Sequence, residues 1–326
     1  MNTQFLTNSI NHIAQAADIV KNGGLVALPT ETVYGLAANA LDPNAVKKIF
    51  AAKNRPMDNP LIVHLADTTD LPKIVSHIPK KAQLLINAFW PGALTIILPS
   101  NGVVPLETTG GLSSVAVRVP KNSIARAVIA AAGVPVAAPS ANSSGKPSPT
   151  LAAHVAEDLN GKIDAILDGG AATLGLESTV IDLTGKPCLL RPGMITREMI
   201  ESVIGTISVG GNAGEGETPK SPGMKYRHYA PKAPVTLFNP EQISEINRCI
   251  NEQTGIFVSK QNAVHFTGGR IIISGDLGDP KTIAANLFKA LREFDFIGVN
   301  QIYAEVISED GEGAAIMNRL RKAAAK

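Results

Sequence analysis

Apolar and polar positions alternate so as to divide the chain into short strands and amphipathic helices. Residues 11–22 (NHIAQAADIVKN) place apolar side chains at helical spacing and stop at Gly23-Gly24, a helix-ending pair. LVALPT follows as a short apolar strand, and Asp42-Pro43 opens a helix over PNAVKKIFAAK, with an N-cap followed by proline at the first helical position. LIVHL, ALTIIL, VAVRV and PVAAPS are four more apolar strands between helical or turn-rich stretches. Thr150 is expected to cap a helix running to about Asn160, and TVIDLTGKPCLLRPG to form a hairpin turning at Thr184-Gly185-Lys186. Strands and helices thus mix over residues 1–208, which predicts one α/β domain.

The pattern changes in GGNAGEGETPKSPG, where glycine and proline sustain neither helix nor strand. Residues 209–233 are therefore expected to link two domains. Within them, MKYRHYAPKAP is too aromatic and basic for an inert spacer, and it predicts a lid that closes over the first domain. Beyond it, VTLF, a helix near 241–252, GIFVS, RIIIS, a helix near 280–294, QIYAEVI and a final helix alternate regularly. Such alternation predicts a small parallel-sheet, Rossmann-like domain over 234–326.

Composition narrows the function. Of 326 residues, 44% are hydrophobic and 18% charged, as in a folded globular protein. Thirty basic against 28 acidic residues give a formal charge of +2, which disfavours a main role in gripping a long polyanion. Cys188 and Cys249 lie far apart, which argues against disulfide scaffolds and cysteine-rich zinc sites. The amino terminus lacks a basic and an apolar signal region, and no run of about 18 apolar residues occurs, so a cytoplasmic location without membrane contact is expected. Neither a GxxxxGK[ST] phosphate loop nor a GxGxxG turn is present, and the histidines show no metal-ligand spacing.

Candidate chemistry lies in polar clusters at strand ends. Pro29-Thr30-Glu31-Thr32-Val33-Tyr34-Gly35-Leu36 follows the first apolar strand, and reads either as a hydroxyl-capped turn or as a binding loop. Lys53 and Arg55 lie past a helix end, either complementing its dipole or clamping phosphate. Pro139-Ser140-Ala141-Asn142-Ser143-Ser144-Gly145 offers Asx and Ser turns, or groups for a ribose or phosphate. Arg118 stands inside an apolar strand, where it needs a protein carboxylate or an anionic ligand. His64, in LIVHL, is either a satisfied core histidine or part of a site.

The clusters gain meaning from their order. TETVYGL, KxRP, PGxLT, VRVP, PSANxSG, STVID and LRPG follow one another, and this series closely resembles the YrdC-type domain of the threonylcarbamoyl-AMP synthases. The phrase SPGMKYRHYAP and the ending GAAIMNRL resemble the two-domain form of that family. The resemblance implies a twisted sheet around a concave cavity, and condensation of L-threonine, bicarbonate and ATP to threonylcarbamoyl-AMP and pyrophosphate. Downstream transferase proteins then use the product to modify the adenosine beside the anticodon of certain tRNAs, with any tRNA contact of this chain weak or indirect. By the same resemblance, Lys53, Arg55, Ser140 and Asn142 are the catalytic set. Thr32, His64, Arg118, Ala138 and Ser178 are implied in threonine binding, and Arg55, Asn59, Ser114, Ser140, Ser148, Arg191 and His228 in ATP binding. Mg²⁺ is expected with the triphosphate, without a dedicated protein cage. Two rival readings are an RNA-binding module and a carbamoyl-adenylate-forming enzyme that uses carbamoyl phosphate. The first meets a near-zero net charge, and the second belongs to much longer, zinc-containing proteins.

Overall fold

Fifteen short strands form two sheets in a computed structural model that describes residues 2–210, 219–221 and 228–325. The first eleven are β1 (Gln4–Leu6), β2 (Val26–Leu28), β3 (Gly35–Asn39), β4 (Ile62–His64), β5 (Leu94–Pro99), β6 (Ser114–Arg118), β7 (Val136–Ala137), β8 (Ala165–Leu167), β9 (Thr179–Asp182), β10 (Cys188–Arg191) and β11 (Ser208–Val209). They join in the order β1-β8-β2-β3-β7-β4-β6-β5-β9-β10-β11, a mixed sheet with parallel and antiparallel neighbours. The other four, β12 (Val235–Phe238), β13 (Thr254–Val258), β14 (Arg270–Ile273) and β15 (Gln301–Glu305), are all parallel in the order β12-β15-β13-β14. The α/β class and the small parallel C-terminal sheet are therefore as the alternation indicated.

Side-chain alternation along the strands decides which face each helix covers. Val26 and Leu28 point to one face and pack with the helices Ile10–Lys21 and Ser123–Ala132. Ala27 points to the other and joins a core beneath the helices Pro43–Lys53, Lys80–Phe89 and Arg197–Ile204. On the first face the apolar surface continues past its helix pair as Ile62, Ile97, Ala116 and Val180. His64 and Arg118 share that face by parity with Ile62 and Ala116, and they sit side by side in the β4–β6 register.

The two domains share a core. Val33, Leu176 and Met194 pack in one cluster with Phe288 and Leu291 of the helix Pro280–Ile297 and Ile316 of the helix Gly313–Ala324. Gly175 marks the tightest approach: its φ is +74°, and a Cβ there would lie 2.5 Å from the Ala284 carbonyl oxygen and from Ala285 Cα. Only glycine accepts both conditions.

Local expectations hold in most places and fail in two. Asp42 caps Pro43–Lys53 by accepting from Asn44 N, and β9 and β10 pair antiparallel as a hairpin with a register shift between Leu189 and Arg191. The helix expected near 241–252 shrinks to a 3-10 turn at Pro240–Gln242 and the single turn Ile243–Ile246. Asn247 ends it, because its side chain bonds the backbone of His265 and Thr267. Thr150 does not cap the next helix, which runs Ala152–Leu159 with Leu151 as its N-cap, since Thr150 meets the His154 ring instead. Residues 222–227, which include the first four of the basic-aromatic phrase MKYRHYAPKAP, lie outside the described residues. No helix among the described residues is long and apolar enough to cross a membrane.

Candidate active site

A cavity opens on the sheet face that carries Ile62, His64 and Arg118. One end is built around Arg118, which is 3% exposed. Its Nε donates to the Gly92 carbonyl at 2.9 Å, Nη1 to Thr32 Oγ1 at 2.9 Å and Nη2 to Glu31 Oε1 at 2.7 Å. Glu31 also accepts from the backbone N–H groups of Lys121 and Asn122. Burial works against its charge, but the Arg118 guanidinium and the Lys121 N–H hold the carboxyl below its ordinary range. The partner that Arg118 needs is thus a protein carboxylate, adjacent in sequence to the threonine that shares the guanidinium. Each nitrogen group of the fork makes one of these bonds, so Nη1 and Nη2 each keep a second N–H.

His64 lies beside this arginine and is 5% exposed. Its Nδ1 sits 3.2 Å from the Ile62 carbonyl, which can only accept, so Nδ1 carries the proton and Nε2 is an acceptor. Burial, and then the Arg118 charge, push its pKa down to about 3 and keep the ring neutral. Thr30 Oγ1 bonds Thr32 Oγ1 at 2.8 Å and the Val33 carbonyl at 2.6 Å, which fixes the loop between β2 and β3. Ala138 is tied to β4 through its N–H to the Ile62 carbonyl, and Ser178 Oγ lies 2.7 Å from Thr95 Oγ1.

The opposite end depends on one turn of backbone. Asn54 adopts a left-handed conformation, φ 53°, and ends the helix Pro43–Lys53, so the cations on either side of it face different ways. Arg55 lines the cavity and donates to the Asn59 and Pro60 carbonyls at 3.4 Å. Lys53 turns inward, is 2% exposed, and donates through Nζ to the carbonyls of Ser140 and Asn142. Burial, with Arg55 close by, pulls its pKa well below the usual lysine range. Lys53 therefore holds the Ser140–Asn142 loop from behind and does not reach the cavity wall, against its expected place as a point charge for phosphate. Asn142 spends its amide N–H groups on the Ser143 and Lys146 carbonyls at 2.9 Å, while Oδ1 is buried without a partner among the described residues.

The far wall carries charge in layers. Ser148 Oγ donates to Glu177 Oε1, and Arg191 donates to the Ser178 carbonyl at 3.0 Å and Ser178 Oγ at 3.2 Å. Glu177 is buried, which opposes ionisation, yet the charges of Arg319 and Arg191 hold its carboxyl below the ordinary range. His228 joins the lining, and burial and Arg55 push its pKa down to about 3. Its Nε2 is buried without a partner among the described residues. Tyr229 follows with φ 66°, its ring 5.1 Å from that of Phe288.

The structure thus gathers Thr32, His64, Arg118, Ala138, Ser178, Arg55, Ser140, Asn142, Ser148, Arg191 and His228 around one cavity. Lys53, Asn59 and Ser114 stand outside its lining. Asn59 is 1% exposed beneath Arg55, and Ser114 lies at the far end of β6 from Arg118, two residues before the Ile62–Ala116 pair. Thr30, Lys146 and Glu177 line the cavity without having been assigned from sequence as site residues. Among the described residues, no three His, Cys, Asp or Glu side chains gather as a metal site.

Two family models match, one described as telomere recombination over residues 18–193 and one as threonylcarbamoyl-AMP synthase, C-terminal domain, over residues 195–325. A threonylcarbamoyl-AMP synthase of Pyrococcus abyssi is 52% identical over 94% of this chain and 92% of its own length. One of Bacillus subtilis is 47% identical over 99% of this chain and 95% of its own. The crystal structure of P. abyssi Sua5 complexed with L-threonine superposes with a TM-score of 0.90 at 47% identity, covering 99% of this chain and 98% of that one.

Proposed function

Because the chain belongs to the threonylcarbamoyl-AMP synthase family, in its two-domain form and among the nucleotidyltransferases, we propose that it condenses L-threonine, bicarbonate and ATP to threonylcarbamoyl-AMP and pyrophosphate. The observation that carries this reading is the polarity of the cavity. Its Arg118 end suits a small zwitterion, and its Arg55, Lys146 and Arg191 end suits a polyanion. The spare N–H groups of Arg118 would take the threonine carboxylate, while the neutral Nε2 of His64 would accept from its hydroxyl or ammonium.

The reaction asks little covalent chemistry of the protein. The threonine amine adds to bicarbonate with loss of water, and a carbamate oxygen then attacks the α-phosphorus as pyrophosphate leaves. Positioning two anions and stabilising the charge of the leaving group are the main tasks. Arg55 and Arg191 would serve the phosphates, with Ser140 and the Asn142 side chain beside them. Mg²⁺ would accompany the triphosphate. Glu31 and Glu177 are already engaged by arginines, so the ion's ligands would be phosphate oxygens and water.

His228 and Tyr229, within segment 209–233, line the cavity, which supports a reading of that segment as a lid that would exclude water from the adenylated product. The product would serve tRNA modification beside the anticodon, in the cytoplasm, through separate transferase proteins. Pyrophosphate release, measured with and without threonine and bicarbonate, tests the reading. Release that depends on both, with a product of the mass of threonylcarbamoyl-AMP, is expected. Release at the same rate without threonine would overturn it.

A further inference from the structure

Two buried arginines of the C-terminal domain reach across to the cavity's nucleotide wall. Arg319, on the helix Gly313–Ala324, is 0% exposed. Its Nε donates to Glu177 Oε2 at 2.9 Å, and its Nη1 to the Pro192 carbonyl at 2.8 Å. The other oxygen of Glu177 receives Ser148 Oγ from the cavity lining. Arg292, on the helix Pro280–Ile297, donates Nη2 to the Pro147 carbonyl at 2.6 Å and to Asp158 Oδ2 at 2.8 Å. Asp158 in turn accepts from the Ser143 N–H and from Lys146 Nζ. Adjacent residues, Pro147 and Ser148, are therefore pinned from the second domain, one directly and one through a carboxylate.

We infer that Arg319 is a positioning residue for nucleotide binding: it orients Ser148 through Glu177, with Arg292 as the second strap on the same loop. The second domain then contributes to the shape of the site as well as holding the linker. The inference rests on the proposed ATP-dependent reaction. The physical reason is that an ionised carboxylate in a buried wall is a strong acceptor whose direction is set by its cation. Without that cation, Glu177 is free to rotate or protonate, and the serine hydroxyl loses its aim.

The test uses the full chain and calorimetric dissociation constants for ATP and for L-threonine, with thermal unfolding alongside. Arg319→Met, Glu177→Gln and the combined Arg319→Met/Glu177→Gln variant are compared with Arg321→Ala, an exposed arginine on the same helix. Arg319→Met should weaken ATP at least about tenfold, since displacement by about 1 Å from optimal geometry is costly, with threonine affinity changed less than about twofold. It should also lower the unfolding temperature. The combined variant removes the Arg319–Glu177 ion pair as a whole, so its unfolding temperature should recover at least in part from that of Arg319→Met while ATP binding stays weak. Arg321→Ala should match the unsubstituted chain. If ATP affinity recovers together with stability in the combined variant, Arg319 is a fastener between domains and the inference falls. It falls equally if Arg319→Met binds ATP normally. A chain that binds ATP but releases no pyrophosphate overturns the proposed reaction, while the binding constants still decide the role of Arg319. A chain that binds no ATP overturns both.

Discussion

The cavity's two ends solve one problem, a cation kept out of water, in different ways. At one end, Arg118 and its counter-charge Glu31 both come from the first domain, and the loop carrying Glu31 is tied down by Thr30 and by backbone N–H groups. At the opposite end, the carboxylates Glu177 and Asp158 behind the wall meet arginines supplied by the second domain, with Lys146 of the first also on Asp158. The difference teaches that the Arg118 end is self-contained, its charge balanced within the first domain, whereas the wall at the opposite end is balanced in part from the second.

The most severe way to break the self-contained end is Glu31→Ala. It strands a buried guanidinium, and loss of one partner of a buried pair costs about 3–5 kcal/mol. Chemical denaturation should show that loss, and a change below about 1 kcal/mol would mean that Arg118 is balanced otherwise. Next comes Arg55→Ala at the other end, expected to cut turnover about 100-fold, or about 3 kcal/mol of transition-state stabilisation, with an unchanged circular dichroism spectrum. Near-normal turnover at saturating ATP would remove Arg55 from the reaction. A milder cut, Arg118→Gln, should raise the apparent KM for threonine at least about tenfold while that for ATP moves less than about threefold. A selective loss of ATP affinity instead would reverse the assignment of the two ends.

The smallest expected effect is a slope. His64 is held neutral with a pKa of about 3 against an ordinary 6.5, and His154 is pushed to about 4 by burial and Arg292. Below pH 6.5 the unfolded chain takes up protons that these folded rings refuse, so their stabilisation is complete above 6.5 and fades as pH falls toward those values. The depressed carboxyls of Glu31 and Glu177 lose their contribution only below 4.5, which leaves the interval between for the histidines. His64→Asn should flatten the pH dependence of stability there by up to about 1.4 kcal/mol per pH unit. An unchanged slope would mean that His64 is charged in the folded protein.

Legibility in the sequence followed the range of the interactions. Strand and helix positions were readable because their periodicity is local, and the ordered motifs brought most of the cavity lining with them. Lys53 and Arg55 looked equivalent two residues apart. What separates them is one left-handed residue, Asn54, whose conformation motif order does not reveal. Glu31 stood inside a quoted motif but was not matched to Arg118, although a cation in an apolar strand demands a carboxylate somewhere. Arg292 and Arg319 were missed because their partners lie 134 and 142 positions away in the chain. A local sign of them existed nonetheless. Ala284, Phe288 and Arg292 fall at successive fourth positions, as do Ala315 and Arg319, so both arginines sit on their helices' apolar stripes. A charge on that stripe is aimed at another part of the molecule.

Gly175 gives this assembly its mechanics. Where a missing side chain lets a loop of one domain rest on the helix backbone of the other, no compliant layer lies between them. The joint can part by lifting, but sliding would drive main chain into main chain. The joint is therefore fixed by main chain against main chain, and it lies two residues from Glu177, the carboxylate that Arg319 meets. A methyl group at that point would act as a shim: it would line no part of the cavity, yet it would force the loop and the helix apart.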